Sequence, residues 1–536
     1  MPTTSTSRAA IAGVLAVAGG MATAELVSGV LSLRASPVVA VAETVIELTP
    51  GSIAEPLIAL VGQADKPLLI TGVLLGLVAL GALAGVLGAR RRGAGVALLV
   101  ALGVVGVAAS MTRTGAGMLD ALPSLVGAGV AIGLLSWLLR AATGAVRAST
   151  AAPQHATEAR ADAPVAAAGA TAAHPAAASS FDRRSFLLRT SAVGVGALLV
   201  AGAGRQLGRG RAAVEAARVD LRRVLQQRLR KVAAPAGVDV GPQGVAPWVT
   251  PVGDFYRIDT SLSPPLLTPD NWRLRVHGMV DNELELTYAD LLERELVDSW
   301  VTLCCVSNEV GGPLIGNARW TGVRLDDLLA QARPRAGADA VLSRSVDGWT
   351  CSTPLAALTD GRDALLAVAM DGKALPVEHG FPVRMVVPGL YGYVSATKWV
   401  VDMEVTKFAD ISAYWTERGW SEQAPIKTSS RIDVPGAGTN VAAGSVVVGG
   451  VAWAQHRGID AVEVRVDDGP WQRAALAAEP TIDSWRQWRW RWAATPGEHT
   501  LAVRAVDGDG EVQTGAVAGV LPDGATGYHT LSVQVA

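Results

Sequence analysis

V-T-L-C-C-V-S-N-E-V-G-G-P-L-I-G-N-A-R-W-T-G-V-R, residues 301–324, places two of the chain's three cysteines, Cys304 and Cys305, after an apolar run and before a glycine-rich loop. The run reads as a strand, and a strand ending in a thiol at a loop admits two readings, a metal site or a buried strand end. Successive side chains on a strand point to opposite faces, so one member of the pair at most faces a given pocket. A thiolate is a soft ligand that suits molybdenum-type chemistry as well as zinc or copper. A protein-only zinc site needs three or four ligands, and the sequence has no CxxC, HxxxH or HExxH pattern. A single useful cysteine implies that something other than protein supplies most of the coordination.

At 536 residues the chain exceeds one ordinary core, and length alone predicts about three to four units. Half of the residues are hydrophobic, yet aromatics are only 5%, because Ala, Val, Leu and Gly dominate roughly the first two hundred residues. This composition points to membrane helices joined to soluble domains. A formal net charge of -2 leaves no electrostatic footprint for nucleic acid. Three cysteines, Cys304, Cys305 and Cys351, are too few and too badly spaced for a disulfide framework.

Residues 9–33 form an apolar run interrupted mainly by Glu25, long enough at 1.5 Å per residue to cross a roughly 30 Å hydrocarbon layer. Further spans are expected at 68–88, 93–109 and 119–139, within a transmembrane region at 1–140 of about four spans. Between them, 36–65 carries Glu43, Glu47, Glu55 and several prolines, which leaves a crossing and a re-entrant segment both open. Arg90, Arg91, Arg92, Arg140 and Arg147 belong in the cytoplasm by the positive-inside rule. A flexible linker is expected over 141–181. Residues 182–206 open D-R-R-S-F-L-L-R and run into an apolar stretch, resembling an internal twin-arginine export signal or reading simply as a last membrane helix. Both readings send the remainder to the outer side of the membrane. Residues 207–247, arginine-rich with an apolar stripe, read as a stalk near the membrane surface. From Trp248 the chain mixes strands with helices at 288–295 and 325–332, and from Ser445 it is strand-like with Asp-Gly and Pro-Gly turns. The pattern predicts a mixed α+β domain at 248–420 and a small antiparallel sandwich at 421–536.

The second informative block is E-H-G-F-P-V-R-M-V-V-P-G-L-Y-G-Y-V-S-A-T-K-W-V, residues 378–400. His379, Arg384 and Lys398 bracket a strand and a glycine loop, the combination that a phosphorylated anionic cofactor requires. Each has a plainer use when taken alone: His379 as a turn cap, Arg384 and Lys398 as solvated cations.

In order, these blocks resemble the sulfite oxidase family of molybdopterin enzymes over about residues 255–536. The resemblance implies that F-Y-R-I-D, carrying Phe255, Tyr256, Arg257 and Asp259, meets the molybdenum-molybdopterin cofactor. C-V-S-N then makes Cys305 the molybdenum ligand, with Asn308 behind it and Cys304 a packing residue. Asp347, His379, Arg384, Ser395, Ala396, Thr397 and Lys398 fall on cofactor-contacting positions, Arg257 and Cys305 serve catalysis, and the C-terminal sandwich is similar to the family's immunoglobulin-like dimerisation domain. Its tryptophans Trp453, Trp471, Trp485, Trp488, Trp490 and Trp492 read mostly as core or interface anchors.

Departures bear on the substrate. Glu309 and Val310 stand where the family keeps arginines, the glycine loop carries Tyr393 and Val394 in place of an arginine, and Trp420 is the nearest match to a tyrosine beside the metal. A pocket with fewer positive donors favours a neutral S-oxide or N-oxide, or a larger substrate, over sulfite. None of the seven histidines falls in an expected span and there is no CxxCH, so no haem is expected and electrons pass through a separate redox protein or quinone-linked partner. The leading reading is a membrane-anchored oxidoreductase that transfers an oxygen atom to or from a small sulfur or nitrogen oxide, with a homodimer through the C-terminal domain as the expected assembly. The alternative is a catalytically silent, membrane-tethered assembly or adhesion protein that keeps the fold. A copper-binding cupredoxin ranks last, since no close histidine pair lies near Cys305.

Overall fold

The computed structural model describes residues 6–31, 36–49, 65–113, 116–147, 191, 193–196, 209–228, 233–262 and 264–536. The linker expected at 141–181 and the twin-arginine-like segment at 182–206 lie outside the described residues, apart from 141–147, 191 and 193–196. Two compact units emerge, 1–210 and 211–536, fewer than length alone predicts.

In the first unit the helices Thr6–Val30, Asp65–Arg90, Arg92–Met111 and Leu122–Arg147 pack side by side. Among the described residues, four helices are long and apolar enough to cross a membrane. Their contacts are backbone-close where glycines meet: a Cβ on Gly13 would collide with Gly81 O and the Gly85 backbone. Small residues at helix crossings permit this close backbone approach. The ambiguous stretch after Ser36 contains the helix Pro37–Leu48, whose 12 residues are too few for a span. Its Glu43 pairs with Arg113 at 2.7 Å.

The second unit begins within the helix Arg209–Arg228. Val214, Leu221 and Leu225, spaced along one stripe, are buried in the same core as Phe381 and Leu375. A stalk resting on lipid would need that stripe for the membrane, and here the core of this unit occupies it.

Two sheets build the mixed region. One orders Leu284–Thr287, Arg273–Gly278, Val400–Thr406, Ala340–Ser345 and Thr350–Pro354, with Arg273–Gly278 parallel to Val400–Thr406. The other orders Val297–Cys304, Ile315–Arg324, Leu365–Met370 and Lys373–Ala374, with Arg384–Val386 paired to Leu365–Met370. Ile315–Arg324 lies between two partners and is buried from Ile315 to Val323, so its polar residues need internal partners. Asn317 finds Thr302 Oγ1 at 3.0 Å and Trp248 O at 2.9 Å. Arg319 reaches Asp298 at 3.4 Å.

The C-terminal β region pairs a four-stranded sheet with a five-stranded one. Ile432, Val448, Val462, Trp488, Val503 and Val533 fill the space between them. Trp453 and Trp485 instead join the core of the mixed region. Trp485 and Trp248 exchange indole-to-carbonyl hydrogen bonds at 2.9 and 3.0 Å, joining the two regions across a buried seam.

Candidate active site

Cys304 ends the strand Val297–Cys304, opposite Ile315 on the next strand. Alternation then sends its side chain into the core, 2% exposed, and turns Cys305 to a cavity of about 140 Å³. The loop between the strands is closed by Cys305 N donating to Leu314 O at 2.9 Å and Asn308 N donating to Cys305 O at 3.0 Å. Asn308 Oδ1 accepts from Leu314 N at 2.8 Å. Asn308 therefore shapes the loop from behind. Burial pushes the Cys305 thiol up, and the amide and hydroxyl of Ser307 partly offset this. Cys304 lies well above the usual thiol range, through burial and the neighbouring Cys305.

A second wall comes from residues 255–259, where Phe255, Tyr256, Arg257 and Asp259 all line the cavity. Phe255 packs edge-on against Trp320 and His379 at 5.8 and 5.7 Å. Asp259 Oδ2 accepts from Arg257 Nε at 2.9 Å and from Lys398 Nζ at 2.8 Å. Two cations share one carboxylate, so this corner keeps a positive excess. Burial lowers the Lys398 ammonium to about 8 despite Asp259.

The turn at Val377–His379 holds the cations through its carbonyls. Glu378 O accepts from Lys398 Nζ at 3.2 Å, and His379 O accepts from Arg384 Nη1 at 3.2 Å. Arg384 also reaches Met385 O and Ala396 O at 3.3 and 3.4 Å and lies 4.8 Å over the Trp320 ring. Burial brings it down to about 10. His379 is lowered to about 4, by burial first and then by Arg384 and Lys398. It is neutral at physiological pH.

Of the sequence-predicted residues, Cys305, Arg257, Phe255, Tyr256, Asp259, Asp347, His379, Arg384, Ala396 and Lys398 line one cavity. Asp347 Oδ1 accepts from Trp349 N at 3.1 Å, fixing a tight turn at the rim. Asn308, Ser395 and Thr397 do not line it. Ser395 Oγ donates to Leu390 O and Tyr391 O, both at 3.0 Å, and Thr397 Oγ1 pairs with Ser343 Oγ at 2.7 Å. Ser395 and Thr397 hold the glycine loop, so they act beneath the surface that a ligand would touch.

Two features change the sequence reading, which placed Trp420 alone of the following four aromatics beside the metal. Trp349, Tyr393, Trp415 and Trp420 form an aromatic flank of the cavity, with Tyr393 and Trp420 centroids 5.8 Å apart. Tyr393 stood inside the block 378–400 and Trp349 lies two residues past Asp347, but Trp415 carried no signal. Glu309 is exposed and does not line the cavity. The charge reversal read from its position therefore bears less on the substrate than the aromatic flank does.

Among the described residues, no three His, Cys, Asp or Glu side chains converge as a protein-only metal site. A lone thiol, a neutral imidazole and cations with a net positive excess fit a phosphorylated, sulfur-bearing group that brings its own metal ligands.

Comparisons with known proteins agree. Residues 261–415 match the family described as "oxidoreductase molybdopterin binding domain". Mitochondrial sulfite oxidase of Rattus norvegicus is 33% identical over 344 residues, 54% of this chain and 62% of that protein. The chain thus spans less than two thirds of that relative's length. The "uncharacterized oxidoreductase YuiH" of Bacillus subtilis (strain 168) is 34% identical over 149 residues, 28% of this chain and 72% of that protein. Among solved structures, the sulfane dehydrogenase SoxCD of Paracoccus pantotrophus aligns with TM-score 0.44 and 23% identity, over 53% of this chain and 80% of that one. The chain belongs to the sulfite oxidase family of molybdopterin-dependent oxidoreductases.

Proposed function

We propose that this chain is a membrane-anchored molybdopterin-dependent oxidoreductase acting on a neutral organic S-oxide or N-oxide. The observation that carries the reading is a single cavity with Cys305 at one wall, Arg257, Asp259 and Lys398 at another, and an aromatic flank. Cys305 would hold the metal, Lys398 and Arg257 the anionic end of the cofactor, and Asp347 and His379 its polar body. When bound, the group supplies oxygen-atom transfer and a two-electron redox change.

The chain's own residues set the rest. Neutral His379 offers a hydrogen bond without adding charge, Asp259 tempers the two cations, and the flank of Trp349, Tyr393, Trp415 and Trp420 excludes water around an apolar substrate body. Arg384, engaged with three carbonyls, orders the floor of the cavity. The four long apolar helices support membrane anchoring, with the arginine clusters cytoplasmic and the catalytic region outside. The two-sheet arrangement of the C-terminal region supports an immunoglobulin-like domain, which on this reading is where two copies of the chain pair. A separate redox protein or quinone-linked partner exchanges electrons.

A dye-linked screen of sulfite, sulfoxides and N-oxides, run in both directions on molybdenum-loaded protein, tests the proposal. Turnover of organic oxides above sulfite is expected. Silence toward every substrate with molybdenum bound would overturn it in favour of a non-catalytic assembly protein.

A further inference from the structure

The helix Arg209–Arg228 lies outside the stretch matched to the family, residues 261–415. Its Val214, Leu221 and Leu225 are buried, and between them Arg218 turns inward. Arg218 Nε donates to Leu375 O at 2.9 Å, its guanidinium lies 6.0 Å from the Phe381 ring centroid, and Glu215 one turn earlier holds Nη1 at 2.7 Å. Leu375 and Phe381 flank the turn at Val377–His379.

Four carbonyls of residues 375–379 each hold a side-chain donor. Leu375 O takes Arg218, Val377 O takes the Trp399 indole at 3.0 Å, Glu378 O takes Lys398, and His379 O takes Arg384. Inside the turn, His379 N and Phe381 N donate to Pro376 O at 3.0 and 3.2 Å, and Gly380 N donates to Val377 O at 3.2 Å. These internal hydrogen bonds brace residues 375–381 as one short unit, so a bond that holds one end of it limits the movement of the rest. Arg218 grips its first carbonyl from outside the family domain.

We propose that Arg218 is a positioning residue of the cofactor cradle: by holding Leu375 O it fixes the turn whose next carbonyls seat Lys398 and Arg384. The helix Arg209–Arg228 is thereby part of the site's scaffold. The inference rests on the proposed function for what the cradle holds, but the scaffold itself is measurable with or without cofactor.

Hydrogen exchange of the full chain, read by mass spectrometry over residues 376–381, tests it. Arg218→Met keeps the aliphatic bulk and removes the donor. It should speed exchange of the His379, Gly380 and Phe381 amides by about tenfold, the scale of one charge-assisted hydrogen bond. Arg218→Lys should restore most of the protection, and Arg222→Ala, on the exposed side of the helix, should leave it unchanged. Unaltered exchange in Arg218→Met would overturn the proposal, as would equal acceleration throughout residues 211–536, which would mark a merely structural role. Parent protein free of molybdenum would end the proposed function and leave this exchange result standing.

Discussion

Lys398 Nζ lies 2.8 Å from Asp259 Oδ2, the oxygen that also accepts Arg257 Nε at 2.9 Å. The Asp259 side chain is 4% exposed and that of Lys398 11%, so this contact is a buried ion pair. Removing one partner of such a pair strands the other charge away from water.

Asp259→Asn should therefore destabilise the cofactor-free chain by about 3 kcal/mol at pH 7, and Lys398→Met in the same chain should recover most of the loss. Urea unfolding of the single and double variants measures it. Burial already holds Lys398 at about 8 against 10.5. Between those values the unfolded chain binds more protons, so this lysine makes stability rise with pH there, and Asp259→Asn should extend the rise below pH 8.

His379 works at the acid end. Its folded value of about 4 against 6.5 means that the unfolded state takes up a proton first as pH falls. Stability should drop between about pH 6.5 and 4, by at most about 3 kcal/mol from this group. His379→Gln should flatten that part of the pH profile. An unchanged slope would show that His379 is not held neutral.

The aromatic flank sets the size and polarity of the substrate in this account. Trp420→Ala and Trp415→Ala should each raise KM for bulky organic oxides by about tenfold, in line with the loss of 1–2 kcal/mol of apolar contact, and change KM for the smallest oxides little. Steady-state kinetics across a size series of sulfoxides reads the difference.

Asn308 shapes the cysteine loop rather than the cavity surface. Asn308→Ala leaves Leu314 N without its acceptor at 2.8 Å, a loss of about 1–3 kcal/mol. Thermal unfolding should record it together with faster alkylation of Cys305 in cofactor-free protein.

The sequence was most readable where chemistry is local. Alternation on a strand put Cys304 and Cys305 on opposite faces, the resemblance of C-V-S-N to the family motif chose Cys305 between them, and the strand ends at Cys304. The helix at Leu325–Ala332 and the alternating C-terminal strands were legible from their periodicity. Arg218 was not, because its partner is a backbone carbonyl 157 residues away and carbonyls leave no mark in a sequence. Trp415 reaches the cavity through tertiary packing with Trp420, and Glu309 was overweighted because exposure is decided by the loop's path. Ser395 and Thr397 sit in the right motif with side chains turned inward, a distinction that motif matching does not make.

Molybdenum content tests the central claim most directly. Purified parent protein should carry close to one molybdenum per chain, Cys304→Ala should retain it, and Cys305→Ala should lose it, since Cys305 lines the cavity and Cys304 is packed in the core. Parent protein without molybdenum, or Cys305→Ala holding as much as Cys304→Ala, would contradict the account.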